Sequence, residues 1–164
     1  MEGKFVSFSA ILDFDIAIDD DLSSDGTLFE GRFMQIVNSL AMMVAKRHAE
    51  CPCIVLGIDS LRFKKKVLRG DVLLCYASVN CAWLTTLEVG IKIVAEDFRS
   101  LEQKDVFSAY FTCLAVDDDH QPVEIMPVIP ETSEQIQRFH AAELRHQRYR
   151  EEEGVAPLFS SFRL

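Results

Sequence analysis

Nowhere in the 164 residues is there an apolar run long enough to cross a bilayer. The N-terminus lacks the basic, then apolar, then small-residue order of a signal peptide. A cytoplasmic protein is the expectation from these two absences. Basic charge is scarce: 17 Lys and Arg stand against 26 Asp and Glu, for a formal net charge of -9. That disfavours generic nucleic-acid binding, because a phosphate backbone requires a basic surface. Cysteine and histidine do not cluster at zinc-ligand spacing, so no metal site is expected, nor any cofactor. The cysteines are odd in number, Cys51, Cys53, Cys75, Cys81 and Cys113. "CPC" is not a redox CxxC motif, and buried free thiols in a reducing compartment account for most of them.

What is present reads as one globular unit. An apolar fraction of 49% and a charged fraction of 26% are ordinary for a folded domain. The length suits a single domain over 1–164, with a core from about 5 to 118 and a C-terminal extension from about 119 to 164.

"FVSFSAILDFDIAI" alternates, with Val6, Phe8, Ala10, Leu12, Phe14, Ile16 and Ile18 on one side. Period two over this length predicts a half-buried strand, core side as named. "DDDLSSDG" is a loop. From about Gly31 to His48 the apolar residues wrap broadly around a helix, interrupted by Asn38, an amide that needs partners if buried. After Pro52 come four strands: "CIVLGIDSLRF", "VLLCYASVNC" after an "RGD" turn, "TTLEVGIKIVAED" and "VFSAYFTCLAV". The third places Leu87, Val89, Ile91, Ile93 and Ala95 on one face and Glu88 and Lys92 on the other, which is wet or meets a partner. Thr132 or Ser133 can cap a final, largely charged surface helix. The tail "GVAPLFSSFRL" is a frayed end or a docking segment. Short links favour antiparallel pairing, so the fold class is α+β: a curved antiparallel sheet around one long helix.

This order, with particular residues, resembles the hotdog-fold acyl-CoA thioester hydrolases, and the cytoplasmic acyl-CoA hydrolase group in particular. The family loop D-T-N-x-x-G and segment L/I-F-G-G correspond to "DLSSDG" and "LFEG". "KRHA" is similar to the end of the family helix. "GIDSLRFKKKVLRGDVL" is similar to V-D-S-x-x-F-x-x-P-V-x-x-G-D, and "TTLEV" to T-S-M-E-V. The resemblance implies a homodimer whose sheets join side by side, or a trimer of such dimers, with acyl-CoA as substrate or ligand in fatty acid metabolism. It implies active sites at the dimer interface.

At the chemically decisive places the chain departs from the pattern. Asn38 stands where the family helix carries its aspartate, Ser23 replaces the loop asparagine, and Glu30 replaces the first glycine of the pair. An amide is neither a general base nor a competent nucleophile, though it can orient water. The Gly31 N–H is the candidate oxyanion donor. Asp25 and Glu30, and less so Asp21, are candidates for a displaced base. Arg62, Lys64, Lys65, Lys66 and Arg69 are candidate anchors for CoA phosphates, with Thr85 and Thr86 near the pantetheine path. Arg138, Arg145 and Arg148 are alternative anchors, and His48 reads as a helix cap or surface group. Two functional readings stay open: an acyl-CoA hydrolase with atypical catalytic positions, or a weak or inactive protein that binds acyl-CoA or a related thioester.

Overall fold

The computed structural model describes residues 2–17 and 22–152. Ile18, Asp21 and the tail "GVAPLFSSFRL" therefore lie outside the described residues. The elements run β1 (Lys4–Phe5), α1 (Val6–Ser9), β2 (Ile11–Ile16), α2 (Glu30–Ala49), β3 (Cys53–Phe63), β4 (Val72–Ala82), β5 (Thr86–Glu96), β6 (Gln103–Ala115), β7 (Val128–Ile129) and α3 (Ser133–Glu152). Five strands form one sheet in the order β2-β4-β5-β6-β3. Every neighbouring pair is antiparallel. Short links account for β4–β5 and β5–β6, whereas β3 and β4, also joined by a short link, do not pair and lie three positions apart in the sheet. β1 and β7 form a separate parallel pair.

α2 packs on the inner face, touching β3, β4, β5 and β6. Phe33, Val37, Leu40, Ala41, Val44 and Ala45 are buried there. They meet the alternating inner positions Cys75, Ala77, Ile91, Ile93, Phe107 and Phe111. Each such apolar side chain contributes roughly 1.5–3 kcal/mol if large and fully buried. The helix starts after an extended Phe29 and ends at Glu50, left-handed at φ 58, whose N–H donates to the Lys46 carbonyl. Glu30 at the start and Lys46 and Arg47 at the end match the helix dipole.

The first predicted strand is corrected. Val6–Ser9 forms a helical turn, which resets the alternation. Ile11 then packs against the core, whereas Leu12 is 66% exposed and Phe8 47%. Asp15 reaches Arg32 on α2 at 2.7 Å. Period two sets which residues share a face but not which face is inside, and a one-residue slip inverts the assignment.

The outer face is also drier than its sequence implies. α3 lies across it, and Glu88 is buried beneath the helix. Its carboxylate accepts from Arg145 Nε at 2.9 Å, Arg145 Nη2 at 2.7 Å and Asn80 Nδ2 at 2.9 Å. The guanidinium sits 3.7 Å from the centre of the Tyr110 ring. Gly90 makes room for this network: a β-carbon there would stand 2.6 Å from Asn80 Nδ2. Beside it, His146 stacks on Trp83, with ring centres 4.0 Å apart. Thr132 caps α3, its Oγ1 accepting from the Gln135 N–H at 3.2 Å. The preceding Glu131 carboxylate accepts from Ser7 N–H at 2.8 Å and Ser7 Oγ at 2.9 Å, tying α3 to α1.

Candidate functional site

The loop before α2 is closed by its own backbone. Leu22 bridges Leu28. Ser23 N–H donates to the Thr27 carbonyl at 2.7 Å, and Gly26 N–H donates to the Ser23 carbonyl at 2.9 Å. Gly26 takes φ 76, a conformation that costs glycine nothing sterically. Asp25 accepts from Thr27 N–H at 3.1 Å and Thr27 Oγ1 at 2.6 Å, and pairs with Lys66 at 3.2 Å. The Thr27 hydroxyl, the Lys66 ammonium and the Thr27 amide together hold this carboxyl down to about 2.

Lys66 belongs to the basic run, and that run is stitched to the loop. Leu28 N–H donates to the Val67 carbonyl at 3.0 Å, and Thr27 bridges Leu68. The sheet end that carries Arg62, Lys64, Lys65, Lys66 and Arg69 is therefore the end at which α2 begins. Arg62 sits near the end of β3, opposite Ser108. Lys64 N–H donates to the Val106 carbonyl at 2.8 Å, leaving its ammonium exposed.

The N-cap residue of α2, Phe29, supplies no side-chain cap. Arg32 and Phe33 N–H groups donate to the Phe29 carbonyl at 3.0 and 3.3 Å. Glu30 and Gly31 therefore carry the amides that precede the first intrahelical acceptor. A β-carbon at Gly31 would collide with the Phe29 ring, so glycine is required for the ring to fold over the helix start. Glu30 is exposed.

Asn38 is not buried in the single chain. It lies on the exposed side of α2 with Gln35 and Ser39, so it does not need internal partners. It stands one heptad beyond Gly31, about 10 Å along the axis and on nearly the same face. Phe33 contacts Phe63 edge-on, with ring centres 5.6 Å apart. Five residues forward along α2 and three back along antiparallel β3 each move about 8–10 Å the same way. Asn38 and Ser60 thus stand at a similar height. Ser60 has φ 50 and lies in a bulge between Asp59 and Arg62 on the open edge strand. Strand periodicity does not signal that conformation; only the broken register reveals it.

The expectation that is corrected is the one at His48. Within one chain Thr85 and Thr86 stand apart from the basic run. Thr86 opens β5, opposite Leu114 and beside the start of β3, whereas the basic loop joins the other ends of β3 and β4. Some ten residues of strand separate the two groups, on the order of 30 Å. His48 is not a surface cap. It is fully buried, Nε2 donating to the Met126 carbonyl at 2.9 Å and Nδ1 without a hydrogen-bond partner. Burial pushes its pKa below 6.5. Arg145, a possible phosphate anchor by sequence, is committed to Glu88.

Among the described residues no group of His, Cys, Asp and Glu is arranged to hold a metal, and no helix is long and apolar enough to cross a membrane.

The thioesterase superfamily profile matches residues 25–101, from the α2 loop through β5 and into the turn after it. The chain is 35% identical over 110 residues to mouse acyl-coenzyme A thioesterase 11; the match takes in 67% of this chain but only 18% of that protein. It is 26% identical over 141 residues to an uncharacterised acyl-CoA thioester hydrolase of Bacillus subtilis, YkhA, covering 86% of this chain and 82% of that one. It superimposes with a TM-score of 0.85 on an acyl-CoA hydrolase of Staphylococcus aureus solved with butyryl coenzyme A, coenzyme A and coenzyme A disulfide. That likeness spans 92% of each chain at 25% identity. A sheet packed on one long helix, an uncapped helix start beside a basic loop, and this agreement over nearly the whole chain make it a member of the hotdog-fold thioesterase superfamily.

Proposed function

We propose that the chain is an acyl-CoA thioester hydrolase, releasing a free acid and CoA, with an atypical catalytic apparatus. The observation that carries this reading is the uncapped start of α2, sewn by backbone bonds to the one strongly basic loop. The amides of Glu30 and Gly31, at the positive end of a 20-residue helix, suit a thioester carbonyl whose oxygen gains negative charge. Arg62, Lys64, Lys65 and Arg69 suit the CoA phosphates alongside. Asn38 orients the attacking water through its amide, with Ser60 at the same level.

The unit of function in this reading is a pair of copies joined along β3. That strand is an open edge and exposes Ile54, Ile58, Leu61 and Phe63. Antiparallel pairing across it sets the α2 start of one copy beside the opposite sheet end of the other. The Thr85–Thr86 turn, remote within one chain, then approaches the basic loop of the second copy. This places the site at the seam and gives the exposed Asn38 face something to meet. In this reading the core from about 5 to 118 carries the site, and α3, within the extension from about 119 to 164, braces its outer face.

Asp25 does not act as the base in this scheme, since Thr27 and Lys66 already occupy it. Glu30, adjacent in the chain to Gly31, is the remaining carboxylate at the helix mouth. Those same facts favour a second reading, a protein that binds acyl-CoA and turns it over poorly, because Asn38 supplies no base. Short-, medium- and long-chain acyl-CoAs incubated with the purified chain, with free thiol monitored, decide between them. Hydrolysis that Gly31→Ala abolishes supports the enzyme. No turnover by the native chain, restored by Asn38→Asp, overturns it in favour of binding.

A further inference from the structure

We propose that the Leu68–Asp71 turn and the adjoining 97–102 turn form a docking surface for an anionic lipid bilayer. Three large apolar side chains stand out at this end of the sheet: Leu68, Phe98 and Leu101, 51%, 55% and 66% exposed. The turns are fastened together. Phe98 lies against Gly70, where a β-carbon would stand 3.2 Å from its ring, and Lys104 pairs with Asp71 at 2.9 Å. Asp71 also accepts from Leu68 N–H at 2.9 Å, so the presentation of Leu68 is built in.

Leu101 carries the second observation. It is a bulky residue at φ 60, a left-handed conformation that glycine or asparagine adopts with less strain. Asp97 shapes the turn, accepting from Arg99 N–H, Ser100 N–H and Ser100 Oγ at 2.9, 2.8 and 3.2 Å. A strained leucine left two-thirds exposed gains little from packing within this chain, but gains on entering a hydrocarbon boundary.

Charge selects the partner. The flanking loop carries Arg62, Lys64, Lys65, Lys66 and Arg69 against its own Asp71, itself tied to Lys104, and the neighbouring Asp25, which pairs with Lys66. Arg99 lies over the Phe98 ring at 5.1 Å, with its cation at the apolar tip. Asp97 and Glu102 oppose this but are outnumbered. In a chain of net charge -9, a local basic rim around exposed Leu and Phe fits a negatively charged headgroup layer over acyl chains. The same end holds the start of α2. Docking would therefore bring the site to a surface in which long acyl thioesters dissolve. That last consequence rests on the thioesterase reading, whereas the docking does not.

The full chain is sedimented with phosphatidylcholine vesicles with and without phosphatidylglycerol, at low and at molar salt, without substrate. Binding is expected only with the anionic lipid and is lost in salt. Leu101→Asn, which suits the left-handed backbone, and Phe98→Ser should each weaken it about tenfold. Both should leave hydrolysis of a short-chain acyl-CoA in solution unchanged. Arg99→Glu should weaken binding as well. Failure to sediment with anionic vesicles at low salt overturns the proposal, as does equal binding by Leu101→Asn. If that variant instead splits a solution oligomer while vesicle binding persists, the turns are contacts between copies and the proposal is wrong. The vesicle and oligomer readouts that overturn the docking are taken without substrate, so the two readings fail separately.

Discussion

Arg145→Ala is expected to be the most damaging single change outside the core. Glu88 is only 3% exposed and Arg145 18%, so water screens the pair weakly. Removing the guanidinium withdraws two of the three hydrogen bonds to the carboxylate, leaving Asn80 alone. An ionised group left buried without its partner costs about 3–5 kcal/mol. At roughly 2–4 °C per kcal/mol for a chain of this size, Tm should fall by about 6–20 °C. Thermal and urea unfolding measure this directly, with far-UV circular dichroism confirming the remaining helix. The double variant Glu88→Gln with Arg145→Met removes both charges and leaves no stranded ion. It should therefore be more stable than Arg145→Ala, although apolar replacement does not restore the bonds. A Tm drop below about 2 °C for Arg145→Ala, or a double variant as unstable as the two single effects added, would refute the reasoning.

The imidazole of His48 should make stability fall in mild acid. Its folded pKa lies below 6.5, mainly through burial, so the unfolded chain binds the proton more readily. Its stability contribution is complete above about pH 6.5 and declines as pH falls through that value. Urea unfolding at pH 7.5 and 5.5 should show this loss, and a neutral replacement, His48→Gln, should flatten it at some cost in stability. Gly31→Ala should displace the Phe29 ring and lower acyl-CoA turnover by tenfold or more with a modest shift in Tm; unchanged turnover would remove the helix start from the mechanism. Asp25, held near 2, is ionised across the working range, so Asp25→Asn should leave the shape of the pH–rate profile between about 5 and 8 unchanged. A new inflection in that range would contradict this.

Local pattern in the chain determined most of the elements. The alternation of Leu87, Val89, Ile91 and Ile93, and of Phe107, Ala109, Phe111 and Cys113, specifies two strands and the faces they bury. The broad apolar run after Gly31, free of proline and with few β-branched residues, specifies α2 almost to its ends. Thr132 followed by Gln135 specifies the start of α3. These signals are legible because a side chain's face follows from its spacing alone. The family, too, could be read from the order of short motifs.

Tertiary structure alone decided what spacing leaves open. The turn at Val6–Ser9 reversed the two sides of β2, sending Leu12 outward and Asp15 in to Arg32. Glu88 reads as a solvated strand residue until α3 covers it, because its partner Arg145 lies 57 residues away. His48 has the sequence of a helix cap, but the 126 segment closes over it. Asn38 occupies an apolar run in the sequence, while the rotation of α2 turns it outward. In each case the deciding fact is a contact distant in sequence, and pattern within one element carries no information about which distant residue will arrive.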